Sequence, residues 1–235
     1  DPEVLGVGSG RWRPLDPGAY DAAVFLGCGL SSHWLEGTVL PRVVLASALR
    51  AAGVPLAFSG QSYAVDETDV LDALLAGAVA VGCRDAGSAA RARDLPSVDA
   101  AVVTVTGDDA LGLPGSGPTA DGALAVTVRR ADYVGDDDPA RRWVLAADAV
   151  AAERGFEVLG VALNAQAPEP EIATLAGIRA TTPLRARWRL VECGTDPRRL
   201  VAAMTSATAV AAQSYHATLF GLAADAPSVL ATASP

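Results

Sequence analysis

Short apolar runs alternate along the chain with longer stretches rich in Ala, Leu and Arg, the rhythm of repeated βα units. Ala22–Leu26 reads as a buried strand running into Gly27-Cys28-Gly29, and Leu35–Ala52 as a helix stopped by Gly53. Val54–Phe58 is the next strand, followed by a turn at Gly60-Gln61. A helix over Asp69–Gly77, a strand over Val79–Cys83, a short helix over Ser88–Leu95 and a strand over Ala101–Val105 complete this half. The pattern then breaks. Residues 112–122 hold two prolines and four glycines, with no large apolar residue after Leu113, which is linker chemistry.

Beyond the linker the rhythm restarts with a strand over Leu124–Val128, a helix over Pro139–Arg154 and a strand over Phe156–Leu163. A weaker helix near Glu171–Ala176 precedes a strand over Trp188–Val191 and a helix over Asp196–Ser206. The last unit is a strand over Ala207–Ala211, a helix over Tyr215–Ala224 and a strand over Ser228–Ala231. The expectation is an α/β chain of two similar halves: a domain over 1–111, a linker over 112–122 and a domain over 123–235. In such sheets ligands gather at the carboxyl ends of the strands, so a cleft between the halves is expected to hold the site.

Composition narrows the chemistry. Of 235 residues, 51% are apolar but only 5% aromatic, so the core must be built from Ala, Val and Leu. The net charge of −9 argues against a nucleic-acid partner, whose binding needs Lys and Arg to neutralise phosphates. Lysine is absent and all 18 basic residues are Arg. That removes Walker A loops, Schiff-base lysines and a pyridoxal phosphate anchor, each of which needs an ε-amine. The three cysteines lie far apart without metal-ligand spacing, so neither a metal site nor a disulfide framework is expected, and a reducing, cytoplasmic setting is. No apolar run reaches the length of about 20 residues that a membrane span requires.

Several motifs carry candidate chemistry. Gly27-Cys28-Gly29-Leu30-Ser31-Ser32 sits between a strand and a helix, either as a plain tight turn or as a seat for an anion on backbone N–H groups. A dinucleotide site is disfavoured: the third glycine is missing, and the next strand ends in Ser59-Gly60-Gln61 rather than in an acidic residue. Gly60-Gln61-Ser62-Tyr63-Ala64 looks like a nucleophile elbow lacking its last glycine, which would make Ser62 a hydrolase nucleophile with His216 as base. Arg84 ends a strand, where its planar fork suits a ligand carboxylate or phosphate; the alternative is an Arg84–Asp85 or Arg–backbone contact capping the helix. Arg129 and Arg130 end another strand, and alternation turns one of them away. The run Asp136-Asp137-Asp138 before Pro139 reads as helix capping, while Asp108-Asp109 is open in role. Gln213-Ser214-Tyr215-His216 is the most informative segment, because it places a histidine where a strand turns into an apolar helix.

In order and spacing these motifs resemble the polysaccharide pyruvyltransferase family across nearly the whole chain. Ser214-Tyr215-His216-Ala217-Thr218-Leu219-Phe220 with Ala226-Pro227 is similar to that family's closing helix and strand. Val81-Gly82-Cys83-Arg84-Asp85-Ala86-Gly87-Ser88 is similar to its Arg-Asp-x-x-Ser element, Asp21–Leu30 to its strand and glycine loop, and Gly60-Gln61 to its Gly-Gln turn. The resemblance implies two Rossmann-like halves as in GT-B glycosyltransferases, with the acceptor side in the N-terminal domain and the donor side in the C-terminal one. It also implies transfer of pyruvate from phosphoenolpyruvate to two hydroxyls of a sugar, without a cofactor or metal. His216 is then the expected acid/base, Arg84, Arg129, Ser214 and Tyr215 the donor ligands, and Gly27, Gly29 and Gln61 the acceptor side. Three departures stand out: the family's first N-terminal strand and Gly-Asp loop are missing or precede Asp1, Ser214 stands where one version of the motif has Arg, and the family's lysine has no counterpart. A nucleotide-sugar glycosyltransferase, a serine hydrolase and a silent sugar-binding relative are the rival readings.

Overall fold

The computed structural model describes residues 16–113, 122–128, 138–162, 171–193 and 196–231. The chain divides into two compact units, Asp1–Gly112 and Leu113–Pro235. Each is a parallel sheet with helices against it, a Rossmann-like half.

The first unit runs β1 (Ala23–Phe25), β2 (Gly29–Ser31), α1 (Leu40–Ala51), β3 (Leu56–Ala64), α2 (Thr68–Leu75), β4 (Ala80–Cys83), α3 (Ala86–Arg93) and β5 (Val103–Val105). The sheet order is β1-β3-β4-β5, with β2 also paired to β3, and every pairing is parallel. Helix α2 shows why the apolar spacing works: Leu71, Leu74 and Leu75 fall on one face and are fully buried. The core is mostly Ala, Val and Leu, as the composition demanded, with one aromatic pair, Phe25 stacked on Phe58 at 4.9 Å.

Three expectations for this unit are corrected. The strand expected to end at Phe58 runs on to Ala64, through a bulge between Phe58 and Gln61. Gly60 absorbs the irregularity with a φ of +58°, a left-handed conformation that suits glycine. The segment Gly27 to Ser32, read as a tight turn or an anion seat, contains β2, whose Gly29 pairs with Ser62. Ser62 therefore lies within a strand and not on a strand-to-helix turn, which removes the geometry of a nucleophile elbow. The helix expected from Leu35 begins with a 3₁₀ turn over Ser32–Trp34 and a π turn over Leu35–Val39 before becoming α-helical.

The second unit runs β6 (Ala123–Val126), α4 (Asp138–Arg154), β7 (Glu157–Ala162), α5 (Glu171–Thr181), β8 (Trp188–Glu192), α6 (Pro197–Thr205), β9 (Ala209–Ala212), α7 (Tyr215–Ala223) and β10 (Ser228–Leu230). Its five-stranded sheet has the order β10-β9-β6-β7-β8, all parallel. Helix α4 buries Ala140, Val144, Ala147 and Ala151, a stripe at i, i+4, i+7 and i+11. Asp148, on the same helix and 2% exposed, accepts the N–H groups of Arg185 and Ala186 and the indole N–H of Trp188, at 2.8–3.0 Å. Three donors to one carboxylate tie α4 to the segment leading into β8. Gly221 packs α7 onto the sheet: a Cβ there would strike Ser228 and Val210. No helix among the described residues is long and apolar enough to cross a membrane.

Candidate functional site

In the second sheet the chain lays β7 and β8 to one side of β6, then returns to place β9 and β10 on the other. The strand order reverses between β6 and β9, and at such a point the helices that follow leave for opposite faces and open a crevice at the strand ends. Thr127, directly after β6, is fully buried and engaged on three sides. Its N–H donates to Ala211 O at 3.1 Å, its hydroxyl accepts the Gln213 N–H at 3.1 Å, and its carbonyl accepts the Trp143 indole N–H at 3.2 Å. The ends of β6 and β9 are thereby held in register where they begin to diverge.

The Gln213-Ser214 turn feeds α7. Ser214 is the N-cap residue, buried and extended (φ −116°, ψ 128°), and its side chain makes no capping hydrogen bond. Its carbonyl receives both the N–H and the hydroxyl of Thr218 at 3.1 Å. Tyr215 and His216 occupy the first turn of α7 and are exposed, with their rings edge to face at 5.4 Å. The expected donor-side group of Ser214, Tyr215 and His216 thus sits together, at the N-terminus of a helix that opens at the reversal point. The first-turn N–H groups of such a helix attract an anion. Arg129 follows β6 by sequence but lies outside the described residues, as do Arg130, Asp136 and Asp137.

The other expected residues belong to the first unit, around the carboxyl ends of β1, β3, β4 and β5. Gln61 is fully buried and donates from Nε2 to Phe25 O and Leu26 O, both at 3.0 Å, while its buried Oε1 has no hydrogen-bond partner among the described residues. Gly29 pairs with Ser62, whose Oγ would stand 3.3 Å from a Cβ at that position. Arg84 leaves β4 with its N–H on Gln61 O at 2.7 Å, and its Nε meets Asp108 Oδ2 at 2.9 Å. This ion pair is largely shielded, with side-chain exposures of 15% and 4%. Asp85 caps α3 through the Ser88 N–H at 2.7 Å, and the Ser88 hydroxyl both donates to Asp85 and accepts the Tyr63 N–H. Asp85 thus caps α3 by its own carboxylate, while the Arg84 side chain turns to a structural partner 24 positions on rather than to Asp85.

Gly27 donates its N–H to Asp109 Oδ2 at 2.9 Å, and the Ser59 hydroxyl donates to Asp109 Oδ1 at 2.6 Å. The sequence left Asp109 undistinguished from Asp108, because nothing local says which of two adjacent carboxylates turns to Arg84. Only partners 50 and 82 residues away separate their roles.

Cysteine chemistry finds no support at these strand ends. Burial pushes the Cys28 thiol up against the opposing influence of Arg42 and Arg84, and burial with Asp85 nearby pushes Cys83 up to about 11. Both are held as thiols at neutral pH, the unreactive form. Among the described residues no group of three or more His, Cys, Asp or Glu side chains is placed to hold a metal ion.

A family model described as polysaccharide pyruvyl transferase matches residues 4–233. No curated protein gives a significant match to the chain.

Proposed function

The chain belongs to the polysaccharide pyruvyl transferase family, and from that premise we propose that it moves pyruvate from phosphoenolpyruvate onto two hydroxyls of a saccharide, closing a cyclic ketal. The observation that carries this reading is the position of His216, exposed in the first turn of α7 where that helix opens at the reversal between β6 and β9.

The donor brings a carboxylate and a phosphate. The N-terminus of α7, with no side chain capping it from Ser214, offers backbone N–H groups for one of them. Tyr215 and Arg129 supply further donors, Arg as a planar fork suited to either anion. In the first unit Asp108 fixes the plane of the Arg84 guanidinium, and the expected role of Arg84 toward the donor is a separate test.

In the reaction two C–O bonds form at the donor's C2, the bond from C2 to the phosphate oxygen breaks, and C3 gains a proton to become a methyl group. The two acceptor hydroxyls release two protons; one balances that delivered to C3 and the other leaves with phosphate. His216 is the group that delivers and receives them. A single well-placed acid/base contributes about 10²–10⁴-fold to such a step.

A thermal-shift comparison tests the reading. Phosphoenolpyruvate at about 100 times its dissociation constant should stabilise the protein by about 2.7 kcal/mol. Stabilisation by a nucleoside-diphosphate sugar, with none by phosphoenolpyruvate, would replace this reading with glycosyl transfer.

A further inference from the structure

The carboxyl edge of the first sheet is built around one carboxylate. Asp109 takes a hydrogen bond on each oxygen, from the Gly27 N–H at 2.9 Å and the Ser59 hydroxyl at 2.6 Å. Both neighbouring glycines are required by it. A Cβ at Gly27 would stand 3.0 Å from Asp109 Oδ2, and one at Gly60 would stand 2.6 Å from its carboxyl carbon. Gly60 also carries the positive φ that lets β3 bulge beneath it. The residue remains exposed, and a carboxylate has about four lone-pair positions, of which these two donors use two.

A second group belongs to the next residue of β3 after Gly60. Gln61 follows Gly60 and reaches with Nε2 to the end of β1, the strand that runs into Gly27. Those two bonds fix its amide orientation, because the opposite one would set Oε1 against two carbonyl oxygens. Gln61 Oε1, in a residue with no exposed surface, is then an acceptor without a donor among the described residues, an arrangement that buried polar atoms rarely keep.

Both groups with unused capacity here are acceptors. The matching ligand is a donor of hydrogen bonds, and a hydroxyl-rich molecule fits. We infer that Asp109 is a binding residue for the saccharide acceptor, taking a hydrogen bond from one of its hydroxyls, with Gln61 Oε1 reached through one water. Ser59 and Gly27 hold the carboxylate in place. This rests on the transferase reading for the identity of the hydroxyl ligand, and it adds a residue that reading does not assign.

The test is amide NMR of the full chain titrated with methyl β-D-galactopyranoside and, separately, with phosphoenolpyruvate. The glycoside should shift the Gly27, Ser59 and Gly60 amides of the wild-type protein. In Asp109→Asn, which keeps the size but loses the charge, its affinity should fall at least about tenfold, as expected for a bond to a charged group. Phosphoenolpyruvate should bind both proteins alike. Absence of glycoside shifts at those amides in the wild type, or equal affinity in Asp109→Asn, overturns the inference. The transferase reading fails separately, if phosphoenolpyruvate moves no amide around Thr127 and Gln213–His216.

Discussion

The backbone N–H of Gln213 donates to the Thr127 hydroxyl at 3.1 Å, joining the ends of the two strands between which the second sheet reverses its order. Thr127 is the clasp on which the entry to α7 hangs. Replacing it with Val keeps the shape and deletes the acceptor, so Thr127→Val should cost about 1–3 kcal/mol in urea unfolding. Phosphoenolpyruvate affinity should fall with it, because the first turn of α7 loses its anchor. Unchanged stability and unchanged affinity would show that the clasp is idle.

Asp148 sets an acid limit on the second unit. Burial alone would raise its pKa, but the N–H groups of Arg185 and Ala186, the Trp188 indole and the charge of Arg185 outweigh burial and hold it below the ordinary 3.8. A depressed carboxylate contributes stability above its unfolded pKa and loses it as pH falls through the folded value. The contribution is therefore complete at neutral pH and fades below about pH 4. Asp148→Ala leaves three donors without their acceptor and should destabilise by about 3 kcal/mol or more at pH 7. The gap from wild type, measured by denaturation, should narrow in acid; a gap that stays constant to pH 2 would contradict this account.

Arg84 tests the donor assignment in the first unit. Arg84→Lys keeps a charge for Asp108 but cannot offer a planar fork, so phosphoenolpyruvate binding should weaken by at least about tenfold while the fold survives. Equal donor affinity in calorimetry removes Arg84 from the donor ligands and leaves it as the partner of Asp108.

Ser62 separates transfer from hydrolysis. Its place inside β3, opposite Gly29, gives it no strand-to-helix turn of the kind a nucleophile needs. A fluorophosphonate probe should leave it unlabelled. A covalent adduct on Ser62 would restore the hydrolase reading.

Much of this architecture was legible in the sequence, because periodicity is a local signal. The stripe on α4 and the leucines of α2 follow from neighbours within a few residues. What escaped was non-local. The three residues of β2 look like a glycine turn, and only pairing with Ser62–Ala64 makes them a strand. The run of β3 past Phe58 was hidden by Gly60, Gln61 and Ser62, which break the apolar pattern; Gln61 is buried there because its amide serves carbonyls at the end of β1. His216 could be singled out because strand, turn and helix surround it in sequence. Thr127 could not, since the Gln213 N–H that it accepts lies 86 residues away.

The central claim is that His216 moves the protons of pyruvyl transfer, and the most direct measurement is phosphoenolpyruvate-dependent phosphate release and ketal formation by His216→Gln beside the wild-type protein. The account predicts that the variant folds, binds phosphoenolpyruvate as the wild type does, and loses transfer by at least about 10²-fold, the usual contribution of an acid/base. His33, which sits edge-on to Trp34 at 4.8 Å in the turn before α1, should tolerate the same substitution. Full activity in His216→Gln together with a dead His33→Gln would contradict the account and move the chemistry away from the mouth of α7.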